Sequence, residues 1–376
     1  MDKTVKAIKK LVQENLGIKK EERVLIFCDI ISEHETPNDD DRSRRAQLAE
    51  TAHSIFKYIS KTNETVFLKY EATGTHGVEP PDYIWKEAFG SHVYGSLRDS
   101  GVLEALLKKK AGKKQILEAE QIVMERSDEA VDVVIALSNF STSHTKFRDL
   151  VTTCAGARYA SMPLFDPDMF LGPMDVDWNE VQKNTIRIAE KLTDAVSVSI
   201  TAPNGTNLSI GLNGRQGIAD TGILTEEGAF GNLPAGEAFI APPEYTAEGL
   251  FVAEWGPTRK FKFPVKFEIK KGTIFILQGL DKFASAMRQQ IDIEPKCAVL
   301  AELGIGTNPK ASKPDNILES EKILGTIHIA FGDNMSFGGK IRTSFHQDFV
   351  LFSPTVELEY ADGNREIIIK EGKLVG

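Results

Sequence analysis

The stretch at residues 325–349, GTIHIAFGDNMSFGGKIRTSFHQDF, reads as two β-strands that carry metal-binding residue types. Its end, SFHQDFVLF, alternates polar and apolar residues with the period of two that is typical of a strand. This alternation predicts that His346 and Asp348 share one face and that their immediate neighbours take the other. His328 is the ionisable residue of the apolar run TIHIAFG. Imidazole and carboxylate groups fixed on strands are suitable ligands for a divalent metal, so we expect the rest of the chain to complete this site.

The composition is that of an ordinary soluble protein. With 376 residues, the chain is long enough for two domains, and 41% hydrophobic and 26% charged residues are typical of globular proteins. A net charge of −9 argues against nucleic acid or an anionic membrane as a partner. The sequence contains no apolar run of membrane-spanning length and no signal peptide. Cys28, Cys154 and Cys297 are scattered, which predicts a cytoplasmic protein without disulfides.

The first half alternates strand-like and helix-like segments. Short apolar runs near residues 24–28, 65–70 and 130–141 predict strands, and helical patterns separate them. This alternation is typical of an α/β domain with a mainly parallel sheet. A long helical pattern ends near Ala195, and we place the N-terminal domain at residues 1–195.

The pattern changes after Ala195. Turn signals at Pro203–Gly205, Lys270–Gly272 and Asp362–Gly363 each separate two alternating runs, which predicts three antiparallel hairpins. Residues 196–376 should therefore form a strand-rich α+β domain that carries the metal site.

Two glutamates of the second half extend the candidate site. Glu302 lies in AVLAELGIGTNP, which reads as an apolar strand leading into a glycine-rich loop. A carboxylate in apolar sequence is costly to bury unless it is paired or bound to metal. Glu237 lies in the turn-like segment NLPAGEAFIAPP. With the two histidines and Asp348, these groups could bind two divalent ions that share a bridging carboxylate, an arrangement suited to amide hydrolysis.

The segments PAGEAFIAPPE, LAELGIGTNP, GTIHIAFGDN and FHQDF resemble the motifs of the M29 family of metallopeptidases, the aminopeptidase T/S-like enzymes. The resemblance implies a dinuclear site of zinc, cobalt or manganese. It also implies a homodimer that removes N-terminal residues from peptides, with Glu302 or Glu237 moving the proton. Met335 stands where that family has a tyrosine. The implied metal ligands are Glu237, Glu302, His328, His346 and Asp348.

Two alternatives remain open. His328, His346 and Asp348 alone form a two-histidine, one-carboxylate set of the kind that holds non-haem iron in oxygenases. Ring-cleaving dihydroxypyridine dioxygenases are similar to the same superfamily and use that reduced set. The absence of the tyrosine would also suit a non-catalytic metal-binding descendant. Singly, each residue also has a structural interpretation, such as a buried histidine bonded to a backbone carbonyl or a glutamate in a salt bridge.

Overall fold

The chain forms two compact units. A computed structural model describes residues 3–256, 258–280, 282–343 and 345–375. The first unit comprises Met1–Asp175 and Gly222–Pro234, and the second comprises Val176–Thr221 and Ala235–Gly376. The predicted fold class, an α/β unit followed by a strand-rich unit, is confirmed.

The first unit is built on a five-stranded sheet whose strand pairs are all parallel, in the order β2-β1-β3-β4-β8. Its strands are β1 (Val24–Ile30), β2 (Thr65–Glu71), β3 (Val133–Ala136), β4 (Arg158–Ser161) and, from the later segment, β8 (Phe230–Asn232). Its helices are α1 (Lys3–Lys10), α2 (Asp39–Ile59), α3 (Asp82–Asp99), α4 (Val102–Leu107), α5 (Lys113–Met124) and α6 (Lys146–Thr153).

Side-chain caps fix where two of these helices begin. The Asn38 side chain accepts a hydrogen bond from the Asp41 N–H and so caps the start of α2. The first turn of α2 holds Asp39, Asp40 and Asp41, whose negative charges interact favourably with the positive end of the helix dipole. The buried Glu79 carboxylate accepts from the first two N–H groups of α6, at Lys146 and Phe147. These donors have no partner inside the helix, so the distant Glu79 caps the start of α6.

In the described residues, the second unit contains two antiparallel sheets and three α-helices. The larger sheet has the order β12-β11-β10-β6-β5-β16-β17-β18, and the smaller has β15-β14-β13-β9-β7. The first group of strands is β5 (Ala195–Thr201), β6 (Asn207–Gly211), β7 (Ile218–Asp220), β9 (Glu237–Ile240), β10 (Glu248–Trp255), β11 (Lys260–Lys270) and β12 (Thr273–Gln278). The remaining strands are β13 (Leu300–Gly306), β14 (Ile327–Gly332), β15 (His346–Leu351), β16 (Thr355–Tyr360), β17 (Arg365–Lys370) and β18 (Lys373–Leu374). The helices are α7 (Trp178–Asp194), α8 (Lys282–Ile293) and α9 (Ile317–Ser320).

An aromatic core joins the two sheets of this unit. Phe267 of β11 packs against Phe331 of β14 and Phe349 of β15, with ring centroids 5.2 and 5.0 Å apart. Because side chains alternate along a strand, the residues next to these two phenylalanines face away from the core. The three predicted hairpins are confirmed as β5–β6, β11–β12 and β16–β17.

The division between the units differs from the one expected after Ala195. Helix α7 belongs to the second unit because its apolar face packs on β7 and β9. Thr185 of α7 also hydrogen-bonds Thr307, the residue just after β13, with 2.6 Å between the hydroxyl oxygens. Residues 222–234 return to the first unit because β8 pairs with β4. Among the described residues, no helix has the length and apolar character needed to cross a membrane. The cytoplasmic location stays a prediction.

Candidate metal centre

The five side chains that the sequence singled out come together in the second unit. Glu237 begins β9, Glu302 lies in β13, His328 lies in β14, and His346 and Asp348 lie in β15. These four strands are consecutive neighbours in the smaller sheet. The predicted shared face of His346 and Asp348 is confirmed, since His346 Nε2 lies 3.4 Å from Asp348 Oδ1.

Small residues opposite the site make room for it. Across the strand pairs, Gly304 lies opposite His328, and Ala330 lies opposite both Glu302 and Asp348. A Cβ atom on Gly304 would lie 1.9 Å from Cε1 of the His328 ring. The glycine-rich segment after Glu302 was expected to be a loop, but Gly304 and Gly306 lie inside β13. Glycine is required at both positions because the His328 ring fills the space beside Gly304 and the backbone of Ile323 fills the space beside Gly306.

Glu302 lies at the centre of the cluster. Its Oε1 atom lies 3.2 Å from His328 Nε2, and its Oε2 atom lies 3.4 Å from His346 Nε2. One ligand atom from each of Glu302, His346 and Asp348 can be chosen so that all three lie within 4.8 Å of one another. A nitrogen and two carboxylate oxygens at this spacing can hold one divalent ion.

The backbone orients His346 for metal binding. His346 Nδ1 lies 2.6 Å from the carbonyl oxygen of Asp333. A carbonyl only accepts, so Nδ1 carries the proton and Nε2 is left as the ligand atom, the arrangement found for histidines that bind metal. The side chain is 31% exposed, whereas those of Glu302 and His328 are 10% and 1% exposed. The centre is therefore reached from solvent at His346.

Burial and the neighbouring charges shift the pKa values of Glu302, His328 and His346 away from their usual values. Burial alone would raise the pKa of Glu302, but hydrogen bonds from His328 and His346 lower it to about 2. Burial would lower the pKa of His328, but its hydrogen bond to Glu302 and the nearby carboxylates raise it to about 9. Burial opposes the charge of His346 as well, yet Asp348 and Glu302 raise its pKa well above the usual value. Without a metal, both histidines are held as cations by carboxylates.

Two atoms of the cluster have unfilled bonding capacity. Among the described residues, Glu237 Oε2 and His328 Nδ1 are buried without a hydrogen-bond partner. Buried polar atoms are rarely left in this state. Separately from these two atoms, the convergent carboxylate oxygens of Glu302 and Asp348 and the Nε2 atom of His346 fit a bound cation.

Lys322 and Glu321 belong to this cluster, although sequence reasoning did not identify them. The Lys322 side chain is fully buried, and its Nζ lies 3.0 Å from Glu237 Oε1 and 2.7 Å from Glu321 Oε2. Burial alone would lower the pKa of Lys322, but the two carboxylates raise it well above its usual value. Burial raises the pKa of Glu237, and the Lys322 charge counteracts part of that rise. A lysine in the polar segment LESEKILG has no sequence signal that separates it from a surface lysine.

The segment after β14 forms a wall beside His346. The Phe337 ring meets the His346 ring edge-on, with centroids 5.9 Å apart. In this segment, Asp333 supplies its backbone carbonyl to His346. Met335 is 45% exposed. Phe337 also borders a cleft of about 780 Å³ in this unit, which is lined on its polar side by Arg215, Gln216, Glu244, Ser336 and Lys340.

Comparisons with known proteins add the family. No curated protein matches the chain significantly. A solved structure of the 2,5-dihydroxypyridine dioxygenase from Pseudomonas putida KT2440 is similar over 100% of this chain and 97% of that chain, with 17% identity and a TM-score of 0.64. Wild-type AmpT from Thermus thermophilus is similar over 100% and 99%, with 15% identity and a TM-score of 0.56. At these identities, the two structures support the fold alone, and this fold is shared with an aminopeptidase.

A family model decides between the two resemblances. Residues 99–376 match the model described as NicX: 2,5-dihydroxypyridine 5,6-dioxygenase. The prediction of an aminopeptidase is therefore wrong, and the dioxygenase alternative is the better supported one. The error arose because the fold is shared with AmpT as well, and Glu237 and Glu302 were taken as evidence for hydrolysis. The match includes all five candidate ligands and most of the chain, so this protein belongs to the NicX, or 2,5-dihydroxypyridine 5,6-dioxygenase, family of enzymes.

Proposed function

We propose that the chain is a ring-cleaving dioxygenase that acts on a dihydroxylated aromatic ring, with a dihydroxypyridine as the first candidate. The geometric observation that carries the proposal is the grouping of Glu302, His346 and Asp348 at the spacing of one metal site. The family match over residues 99–376 supports the same reaction class. We propose a single ferrous ion in place of the two zinc, cobalt or manganese ions expected earlier. The homodimer stays a prediction.

The residues around the proposed ion have distinct roles. A bound ferrous ion would provide the coordination positions that dioxygen and a ring hydroxyl need, and it would pass electrons from the ring to dioxygen. Glu302, with a pKa near 2, stays ionised, so it provides permanent negative charge for the cation. Asp333 fixes the His346 ring through Nδ1 and so presents Nε2. His328 Nε2 adjoins Glu302 and is available either as a further ligand or to hold a proton there.

The cleft beside Phe337 is the proposed entrance for the ring. It lies on the same side of the unit as the exposed edge of His346, since Phe337 borders the cleft and contacts the His346 ring. An aromatic side chain at this position can pack against a flat substrate. Arg215, Gln216 and Lys340 on the cleft wall offer donors to ring hydroxyls or oxygens.

The test is oxygen consumption by the iron-loaded protein. The full chain is purified without oxygen, loaded with ferrous iron and given 2,5-dihydroxypyridine or isomeric aromatic diols in an oxygen electrode cell. We expect equimolar loss of oxygen and of the ring absorbance. His346→Ala and Asp348→Ala should reduce the rate more than about 100-fold, beyond the effect typical of losing an outer partner of a ligand. His92→Ala, an exposed histidine of the first unit, is the control. Iron-loaded protein that consumes no oxygen with any of these diols would contradict the proposal.

A further inference from the structure

We propose that the ammonium group of Lys322 takes the place of a second metal ion and limits this centre to one. The inference deepens the proposed single-metal function. Lys322 Nζ lies 3.0 Å from Glu237 Oε1 and 2.7 Å from Glu321 Oε2, and the lysine side chain is 0% exposed. Glu237 is therefore already occupied by a cation that belongs to the chain.

The backbone fixes this lysine beside the metal site. The Lys322 N–H donates to Glu319 O, and the Lys322 carbonyl accepts from Asn308 N–H at 2.9 Å. Gly306, the last residue of β13, packs closely against the backbone of Lys322 and Ile323. A Cβ atom on Gly306 would be 2.1 Å from the carbonyl oxygen of Ile323. The lysine is thus held against the strand that carries the central glutamate, and the position of its ammonium group follows from that backbone.

The carboxylates of the cluster divide into two groups. The carboxylates of Glu302 and Asp348 each have an oxygen 3.4 Å from His346 Nε2. The proposed metal ion lies among these three groups. Glu237 and Glu321 surround Lys322 Nζ instead. A buried carboxylate needs a partner of opposite charge, and each group has one if a single ion is bound.

A second metal ion at Glu237 would conflict with Lys322. Two cations that share one carboxylate in a buried site repel each other strongly, because little solvent screens them. The ammonium nitrogen also has no lone pair, so it cannot act as a ligand. Glu237 Oε2 points toward His328 Nε2 at 3.7 Å, and these two atoms would supply a second site only if the lysine charge were removed.

Metal counting tests the inference directly. The full chain and its variants are stripped with a chelator, saturated with Co²⁺, desalted and measured for cobalt per chain. We expect one cobalt in the wild type and in Lys322→Arg, which keeps the cation. Lys322→Met should bind two, and the second cobalt should weaken the electron paramagnetic resonance signal through spin coupling. Combining Lys322→Met with Glu237→Gln should restore a count of one.

Two controls separate the possible failures. Lys191→Met removes another ion-paired lysine of the same unit, whose Nζ lies 2.6 Å from Glu366, and should leave the count at one. A wild type that binds two ions or none would overturn the inference, as would a folded Lys322→Met protein that binds one. If Lys322→Met does not fold, a wild-type or Lys322→Arg count of two still overturns the inference. One bound ion without oxygen consumption would contradict the proposed dioxygenase but not the role of Lys322.

Discussion

At the scale of single residues, His346 is the side chain whose surroundings say most about function. Its Nδ1 atom donates a hydrogen bond to the Asp333 carbonyl, and its Nε2 atom faces the carboxylates of Glu302 and Asp348. The same carboxylates raise the pKa of His346 well above its usual value when no metal is present. A proton and a metal ion therefore compete for Nε2.

This competition predicts a pH-dependent metal affinity. Because the pKa of His346 is raised, the metal-free protein is protonated there at neutral pH, and binding must release that proton. Affinity should rise about tenfold per pH unit between pH 6 and 8 for each proton released. His328, with a pKa of about 9, adds a second proton if it also becomes a ligand. The measurement is competition with a chromophoric chelator at several pH values.

Variants assign the released protons. If His328 binds the metal, His328→Gln should lower the slope of log affinity against pH by one, which corresponds to one proton. If His328 does not bind the metal, the substitution should leave this slope unchanged. His92→Gln, whose imidazole is 73% exposed, should have the wild-type slope. An affinity that does not vary over this pH range would show that neither His328 nor His346 gives up a proton.

At the scale of elements, the pairing of β13 with β14 creates the space that the site needs. Gly304 and His328 are opposite each other in this pair, and the histidine ring lies over the glycine. Alternation of side chains along both strands directs the apolar neighbours into the core instead. The glycine is thus a requirement of the metal site and not of a turn.

Gly304→Ala should damage the site more than the fold. The added methyl would lie about 2 Å from the His328 ring atoms, so the ring must move away from Glu302. Overpacking of this kind costs about 1–3 kcal/mol of stability. We expect metal affinity to fall at least about tenfold, while the circular dichroism spectrum is retained. The measurements are chelator competition and chemical unfolding.

A second glycine serves as the matched control for this substitution. Gly95 in α3 has open space where its Cβ atom would be, so Gly95→Ala should leave metal affinity unchanged. Its stability should stay equal or rise slightly, since alanine has the higher helix propensity. Equal metal affinity in Gly304→Ala and Gly95→Ala would contradict the steric explanation.

At the scale of the whole molecule, the proposed metal centre belongs to one unit. The candidate ligands all lie on strands of the smaller sheet of the second unit. The first unit has its own parallel sheet and its own core, which includes Phe27, Trp85 and Phe147. A bound ion should therefore stabilise the strands that hold it.

Amide hydrogen exchange should show that a bound metal stabilises the second unit and not the first. With metal at about 100 times its Kd, binding adds about 2.7 kcal/mol to the stability of the binding unit. Removal of the metal should thus speed amide exchange in β13, β14 and β15 by up to about 100-fold, while β1 and β3 should change little. The comparison is made on one sample before and after chelation, with peptides from both units. An equal change in both units would contradict a centre confined to the second.

The sequence alone predicted much of the fold, and it singled out five side chains that the structure brings together. The three hairpins could be predicted because Asn-Gly, Lys-Gly and Asp-Gly turns act locally on the backbone. The ligand candidates stood out because ionisable residues in apolar strands are rare. The reaction could not be predicted in this way, because proteins with different functions share this fold and residue types alone do not fix the number of metal ions.

What the sequence determined by itself was which side chains share a face, since side chains of a strand alternate with a fixed period. His346 and Asp348 follow from that rule. The tertiary structure decided which segments become neighbours. It added β8 to the first sheet, joined α7 to the second unit, and buried Lys322 against Glu237. Such contacts join residues far apart in the chain, and they depend on how whole strands and helices pack, which no local pattern encodes.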